Sequence, residues 1–144
     1  MGTRSITRII ADGKPILTFY RQFDGYPSGH GLEIAKFMAG IEIVNGYNFS
    51  MKGGTHANGA GCFAAQMIAI LKETNGRDGG LGGIYIRSHD AENEEYTYTI
   101  NLQSIGDGWD AKDKITSVKC EGYDEDDSYE GDLAGFVKFC QKFG

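Results

Sequence analysis

The sequence predicts an α+β fold: a single domain over residues 1–144, with an antiparallel sheet of about five strands and about three helices, in the order β-β-α-α-β-β-β-α. Three observations point there. Segments rich in β-branched and aromatic residues come in blocks joined by short turns, without the strand–helix alternation of a parallel sheet. Two helical patterns stand between the blocks, and a third closes the chain. The length of 144 residues, 40 % of them hydrophobic, suits one core.

Residues 3–11, TRSITRIIA, read as the first strand, and Asp12-Gly13-Lys14 as a tight hairpin turn. Residues 15–23, PILTFYRQF, read as the second strand. Leu17, Phe19, Arg21 and Phe23 share one of its faces, and Ile16, Thr18, Tyr20 and Gln22 the other. Such mixed faces predict a hairpin partly covered on both sides. Residues 31–40, GLEIAKFMAG, predict a short helix with Ile34, Phe37 and Met38 on one stripe. Residues 41–52 show no clear period and read as irregular. Residues 59–74 are the strongest helix; they are apolar nearly all round through Leu71, which predicts a buried central element.

Three further strands are expected at 83–88, 94–103 and 114–123. The second of these alternates cleanly, with Tyr96, Tyr98, Ile100 and Leu102 on one face. DGWDAKD reads as a polar turn and the acidic run at 124–127 as a solvated loop. The last helix is expected over 131–143, with Leu133, Phe136, Val137, Cys140 and Phe143 at helical spacing.

The bulk numbers narrow the function classes. A net charge of −6 argues against a nucleic-acid polymer as partner, because such polymers want a basic face. No apolar run approaches the roughly 20 residues that cross a bilayer, so no membrane association is expected. Cys62, Cys120 and Cys140 are odd in number and form no CxxC pair, which predicts reduced thiols and a cytoplasmic setting. His30, His56 and His89 lack metal-ligand spacing, and DEDDSYEGD lacks the pattern of a calcium loop, so neither metal nor cofactor is expected.

Glycine is over-represented: 22 of 144 residues, about twice the usual 7 % or so. Its clusters fall at 25–31, 53–61 and 76–83. Two of them open into helices. A helix start offers unpaired N–H groups and the positive end of the dipole, and glycine lets an anion come close. GGTHANGAGCF at 53–63 fits neither the P-loop nor the dinucleotide fingerprint, and reads equally as a flexible helix entry. In RQFDGYPSGHG at 21–31, Asp24-Gly25 and Pro27 are turn chemistry. Ser28 or His30 stands where a helix cap would, with Glu33 near a capping-box offset. That leaves Arg21, Tyr26 and His30 crowded into one loop. Arg21 is suited to a phosphate and Tyr26 to stacking on a base. Arg4, Arg8 and Arg21 form a basic group in an otherwise acidic chain, read either as edge-strand charge or as a phosphate clamp. Cys62 near a helix start, with His56 upstream, is the weaker case for a nucleophile.

GTRS at the start, YRQFDGYPSGHG, ANGAGCFAAQMIAILK and GGIYI with EEYTYTI resemble a family of small phage and prophage proteins, over roughly residues 2–102. The resemblance implies a viral or prophage origin and the cytoplasm of an infected bacterium. It carries over no catalytic residues. Small phage proteins of this size include sponges that sequester the nucleotide signals of host immunity, and such a sponge needs anion-binding backbone, an arginine or two and aromatic faces. The expected function is therefore non-enzymatic binding of a small anionic, nucleotide-like ligand. The expected ligand-binding residues are Arg4, Arg21, Asp24, Tyr26, His30, Gly31, His56, Asn58, Gly59 and Trp109. Two rivals stand beside it: a protein-interaction module that inhibits a host enzyme through its acidic 124–132 segment, and a nucleotide-cleaving enzyme. A homodimer paired through an exposed strand edge is also expected.

Overall fold

Alternating β-branched residues and a two-residue turn build the first hairpin as expected. β1 (Ser5–Ala11) pairs antiparallel with β2 (Lys14–Arg21), and the turn uses Asp12 and Gly13, both at positive φ. The structure, a computed structural model, describes residues 2–46, 55–74, 83–106 and 111–143. In chain order the other elements are α1 (Leu32–Ala39), β3 (Glu42–Val44), β4 (His56–Asn58), α2 (Gly59–Thr74), β5 (Ile84–Arg87), β6 (Tyr96–Ile105), β7 (Lys112–Glu121), β8 (Tyr129–Gly131) and α3 (Leu133–Lys142).

The mixed α and β content and the three helices match the expectation, but the sheet does not. Among the described residues it has eight strands, in the order β4-β3-β7-β6-β1-β2-β5, with β8 paired beside β3 on β7. The three extra strands are three residues each, too short for a period to show. Nor is the sheet purely antiparallel: β1 runs parallel to β6, and β3 to β4. A parallel pair needs a long crossover, and between β1 and β6 that crossover is most of the chain. Blocks of strands in the sequence show chain neighbours, and β1 and β6 are not chain neighbours.

One face of the sheet carries Thr7, Ile9, Phe19, Tyr98, Ile100 and Cys120, and residues of all three helices bury against it. α2 is not buried all round. It turns Phe63, Ala64, Met67 and Leu71 inward and leaves Ala65, Ala69 and Ile70 exposed, because alanine on its outer side costs little in water. On the opposite face Ile6, Tyr20 and Thr97 are buried too, the Tyr20 ring beside Tyr85 and under the Arg87 guanidinium, and the 88–95 connection lies near Arg8. Arg8 holds that connection down: its Nη2 donates to the Ala91 carbonyl at 2.5 Å and its Nη1 to Asn93 Oδ1 at 3.2 Å.

Candidate functional site

The alternation of β2 places Arg21 on the same face as Phe19, which is the helix side. An arginine pointing into an apolar layer must be paired there, and Arg21, only 4 % exposed, is. Its guanidinium pairs with Glu33 on α1, its Nε donates to the Phe23 carbonyl at 2.6 Å, and its Nη1 reaches His30 Nδ1 at 3.1 Å. The imidazole of His30 is fully buried, edge-on to Phe19 and Tyr98, and its Nε2 lies 2.7 Å from Thr7 Oγ1. A guanidinium only donates, so Nδ1 must accept. Nε2 therefore carries the proton and donates to Thr7. Burial first, then the charge of Arg21, holds the His30 pKa well below the ordinary imidazole range, so the ring is neutral.

The loop over this cluster is irregular twice. Asp24 has φ of 61°, in the left-handed region, and Pro27–Gly31 form a π-helical turn leading straight into α1. No side chain caps α1, so neither Ser28 nor His30 plays the expected capping part. Three glycines of the loop are held by contact; a Cβ on Gly29 would lie 2.6 Å from the Asp24 carbonyl oxygen. A Cβ on Gly25 would lie 2.9 Å from Arg4 and Ser5 atoms of the chain entering β1, and one on Gly31 would lie 2.7 Å from Cys140 Sγ. The Tyr98 hydroxyl donates to the Gly25 carbonyl at 2.7 Å and ties the loop to β6.

Outside the loop lies a cleft of about 240 Å³, lined by Arg21, Asp24, Tyr26, Ser28, Gly29, Leu32, Glu33 and Lys36. Tyr26 donates to Asp24 Oδ1 at 3.3 Å, and the Asp24 carboxylate raises the Tyr26 pKa. Arg21 and Glu33 neutralise each other, which leaves Lys36 as the cation without an ion-pair partner among the described residues. Sequence reasoning missed Lys36. Its spacing of three from Glu33 on one helix face was the available signal.

The remaining expected residues do not join this site. Arg4 leans away from Arg21: its backbone N–H donates to Glu95 at 2.6 Å and its Nε lies 3.7 Å from Glu94. His56 stands on β4, with Nδ1 3.0 Å from Thr55 Oγ1 and Nε2 3.8 Å from Glu42. The Asn58 side chain accepts the Gly46 N–H at 2.8 Å, and Gly59 supplies a φ of 82° where β4 turns into α2. Trp109 lies outside the described residues. The two glycine-rich helix entries do not converge. Gly61 lines a hollow with Ile16 and Leu17 at the start of β2, whereas the Asp24 loop leaves from its end, roughly 17 Å away at 3.3 Å per residue. Cys62 accepts from Gln66 Nε2 at 3.2 Å. In the acidic segment, Asp124 accepts the Asp126 and Asp127 N–H groups, and Asp132 caps α3 through Gly135 N at 2.8 Å.

No group of three or more His, Cys, Asp or Glu side chains is placed to hold a metal among the described residues. No helix among them is long and apolar enough to cross a membrane. Comparison of the chain with family models, with curated proteins and with solved structures returns no match in any of the three.

Proposed function

We propose that the protein binds a small phosphorylated, nucleotide-like ligand without turning it over, and that the Asp24–Lys36 cleft receives it. The observation that carries this reading is the coincidence at one place of a left-handed Asp24, a π-helical turn, a buried charged cluster and a concave surface. Irregular backbone of this kind costs free energy and gathers at functional sites. A volume of about 240 Å³ is below the usual range for a whole drug-sized ligand, so only part of a nucleotide enters. The Tyr26 ring suits a base, and the free Lys36 ammonium suits a phosphate. The Asp24 carboxylate on the same wall repels a second phosphate. With the phage resemblance, the role is sequestration of a host signal.

The test is calorimetry with a panel of mono-, di- and cyclic nucleotides. At least one should bind, and be recovered unchanged. Lys36→Ala and Tyr26→Ala should each weaken it by about tenfold, or roughly 1.4 kcal/mol. If no nucleotide binds, or both variants bind as the parent does, this reading fails.

One observation favours a second reading, a protein-interaction module. Ile86 on the edge strand β5 is 67 % exposed and lines a hollow of about 370 Å³ with Ile16, Leu17, Gly61, Ala64, Ala65 and Ile68. An adjoining hollow shares Ile16, Leu17 and Ile86 and is edged by Arg87 and His89. In a chain of net charge −6, that local basic edge fits an apolar partner segment flanked by carboxylates.

A further inference from the structure

We infer that the buried Thr7–His30–Arg21 chain is an acid-sensitive latch, which holds the Asp24–Gly31 loop against β1, β6 and α3 and lets it go when His30 takes a proton. The latch concerns the free protein; only its consequence, release of a ligand from the cleft, rests on the binding reading above.

The geometry makes the loop depend on a neutral imidazole. His30 is fully buried and both ring nitrogens are committed, Nε2 as donor to Thr7 and Nδ1 as acceptor from Arg21. A proton arriving from solvent has one place to go, Nδ1. Adding it there replaces an accepting nitrogen with an N–H cation 3.1 Å from a guanidinium that is itself buried. The bond is lost, and two like charges face each other away from water. With the loop lifted, the ring meets water and titrates near its ordinary value of about 6.5. Acid therefore favours the lifted state.

The neighbours do not offset this. β1 offers Thr7; β2 offers Phe19 and Arg21; β6 offers Tyr98. From α1, Glu33 reaches the cluster by pairing with Arg21. From α3, Cys140 packs against Gly31 and Phe136 lies edge-on to Tyr98. Burial pushes the Cys140 and Cys120 thiols up to about 12 and the Tyr98 phenol above its ordinary range, so all three stay neutral. The loop is also held by few other bonds. His30 N donates to the Asp24 carbonyl at 2.8 Å and Gly29 N to that of Tyr26 at 3.0 Å, both within the loop. Among the described residues, Gly25 N to Thr3 O, at 2.9 Å, ties it to the entry of β1, and Tyr98 to Gly25 O ties it to β6.

The experiment is amide hydrogen exchange on the ligand-free protein from pH 7.5 to 5.0, with each rate divided by its intrinsic rate. Protection at Gly25, Gly29 and His30 should fall about tenfold per pH unit below 6.5, as uptake of one proton requires. Protection at Ile9 and Ile100 in the core strands should stay well above that of the loop at every pH, because they exchange only on global unfolding, which takes up the same proton. His30→Asn leaves an acceptor toward Arg21 that does not take a proton, and keeps Glu33 and Asp24 in place; its loop protection should be flat over the same range. Should that variant fail to fold, the contrast between loop and core amides in the parent still decides. Flat loop protection in the parent, an equal fall in His30→Asn, or loop protection no lower than that at Ile9 and Ile100 would overturn the latch. Failure of nucleotide binding at pH 7.5 would leave it standing.

Discussion

Replacing Tyr98 with Phe tests how much its hydroxyl contributes to fastening the loop to the sheet. The Tyr98 ring is buried, edge-on to His30 at 5.0 Å and to Phe136 at 6.2 Å between ring centres. Phenylalanine keeps both ring contacts and the shape, so no cavity forms beyond the missing oxygen. What goes is the hydrogen bond from the hydroxyl to the carbonyl of Gly25, together with the hydroxyl's weaker contact with the Cys120 thiol. Gly25 is itself buried against Thr3, Arg4 and Ser5, so water has little room to replace the donor. An unpartnered buried carbonyl costs about 1–3 kcal/mol. For a chain of 144 residues, each kcal/mol corresponds to about 4 °C in Tm, so melting should fall by roughly 4–12 °C. Urea unfolding should show a lower midpoint with an unchanged m-value. Tyr96→Phe is the control. It lies on the same strand and face, is also buried, and its hydroxyl has no hydrogen-bond partner among the described residues. That variant should stay within about 0.5 kcal/mol of the parent. If Tyr98→Phe and Tyr96→Phe lose the same amount, the Gly25 carbonyl finds another donor and the fastening argument is wrong.

Two further outcomes follow from geometry. Gly31→Ala sets a methyl 2.7 Å from Cys140 Sγ and should cost about 1–3 kcal/mol; a urea double-mutant cycle with Cys140→Ala should recover at least about 0.5 kcal/mol if the sulfur is the obstacle. Asp132→Ala removes the α3 cap at Gly135 N and should cost about 1 kcal/mol in the same assay, while Asp132→Asn should retain most of it.

Much of the fold could be read from the chain because its larger elements carry their own period. The hairpin at Asp12-Gly13, the cleanly alternating β6 and the α2 span of 59–74 all depend on local pattern; the hairpin and α2 stand where expected, and β6 runs over Tyr96–Ile105, two residues beyond the expected 94–103. What was lost depends on distant partners. β3, β4 and β8 exist because β7 offers them an edge, or, for β4, because β3 does. The parallel register of β1 on β6 joins Ser5 to Tyr96, and no spacing within either segment encodes that. α2 was misjudged for a related reason. Alanine and glycine count as apolar in a pattern but tolerate water, so an all-round apolar helix can still have a wet side.

Four of the expected binding residues lie together, two of them in other roles. Arg21, Asp24, Tyr26 and His30 do come together in and behind the Asp24–Gly31 loop, yet Arg21 and His30 work inward. The sequence held a clue to this. Arg21 shares a strand face with Leu17, Phe19 and Phe23, and a charge on an apolar stripe is either exposed at an edge or buried with a partner. Glu33 and His30 were both within reach along the chain to be those partners. Once Glu33 neutralises Arg21, the charge available to a phosphate passes to Lys36, one helical turn further on. Under the binding reading, Lys36 should then matter to affinity more than Arg21, while Arg21 should matter more to folding. That division separates a site built to bind from a loop built only to close the fold: if Lys36→Ala and Arg21→Met both act on stability alone, nothing binds there.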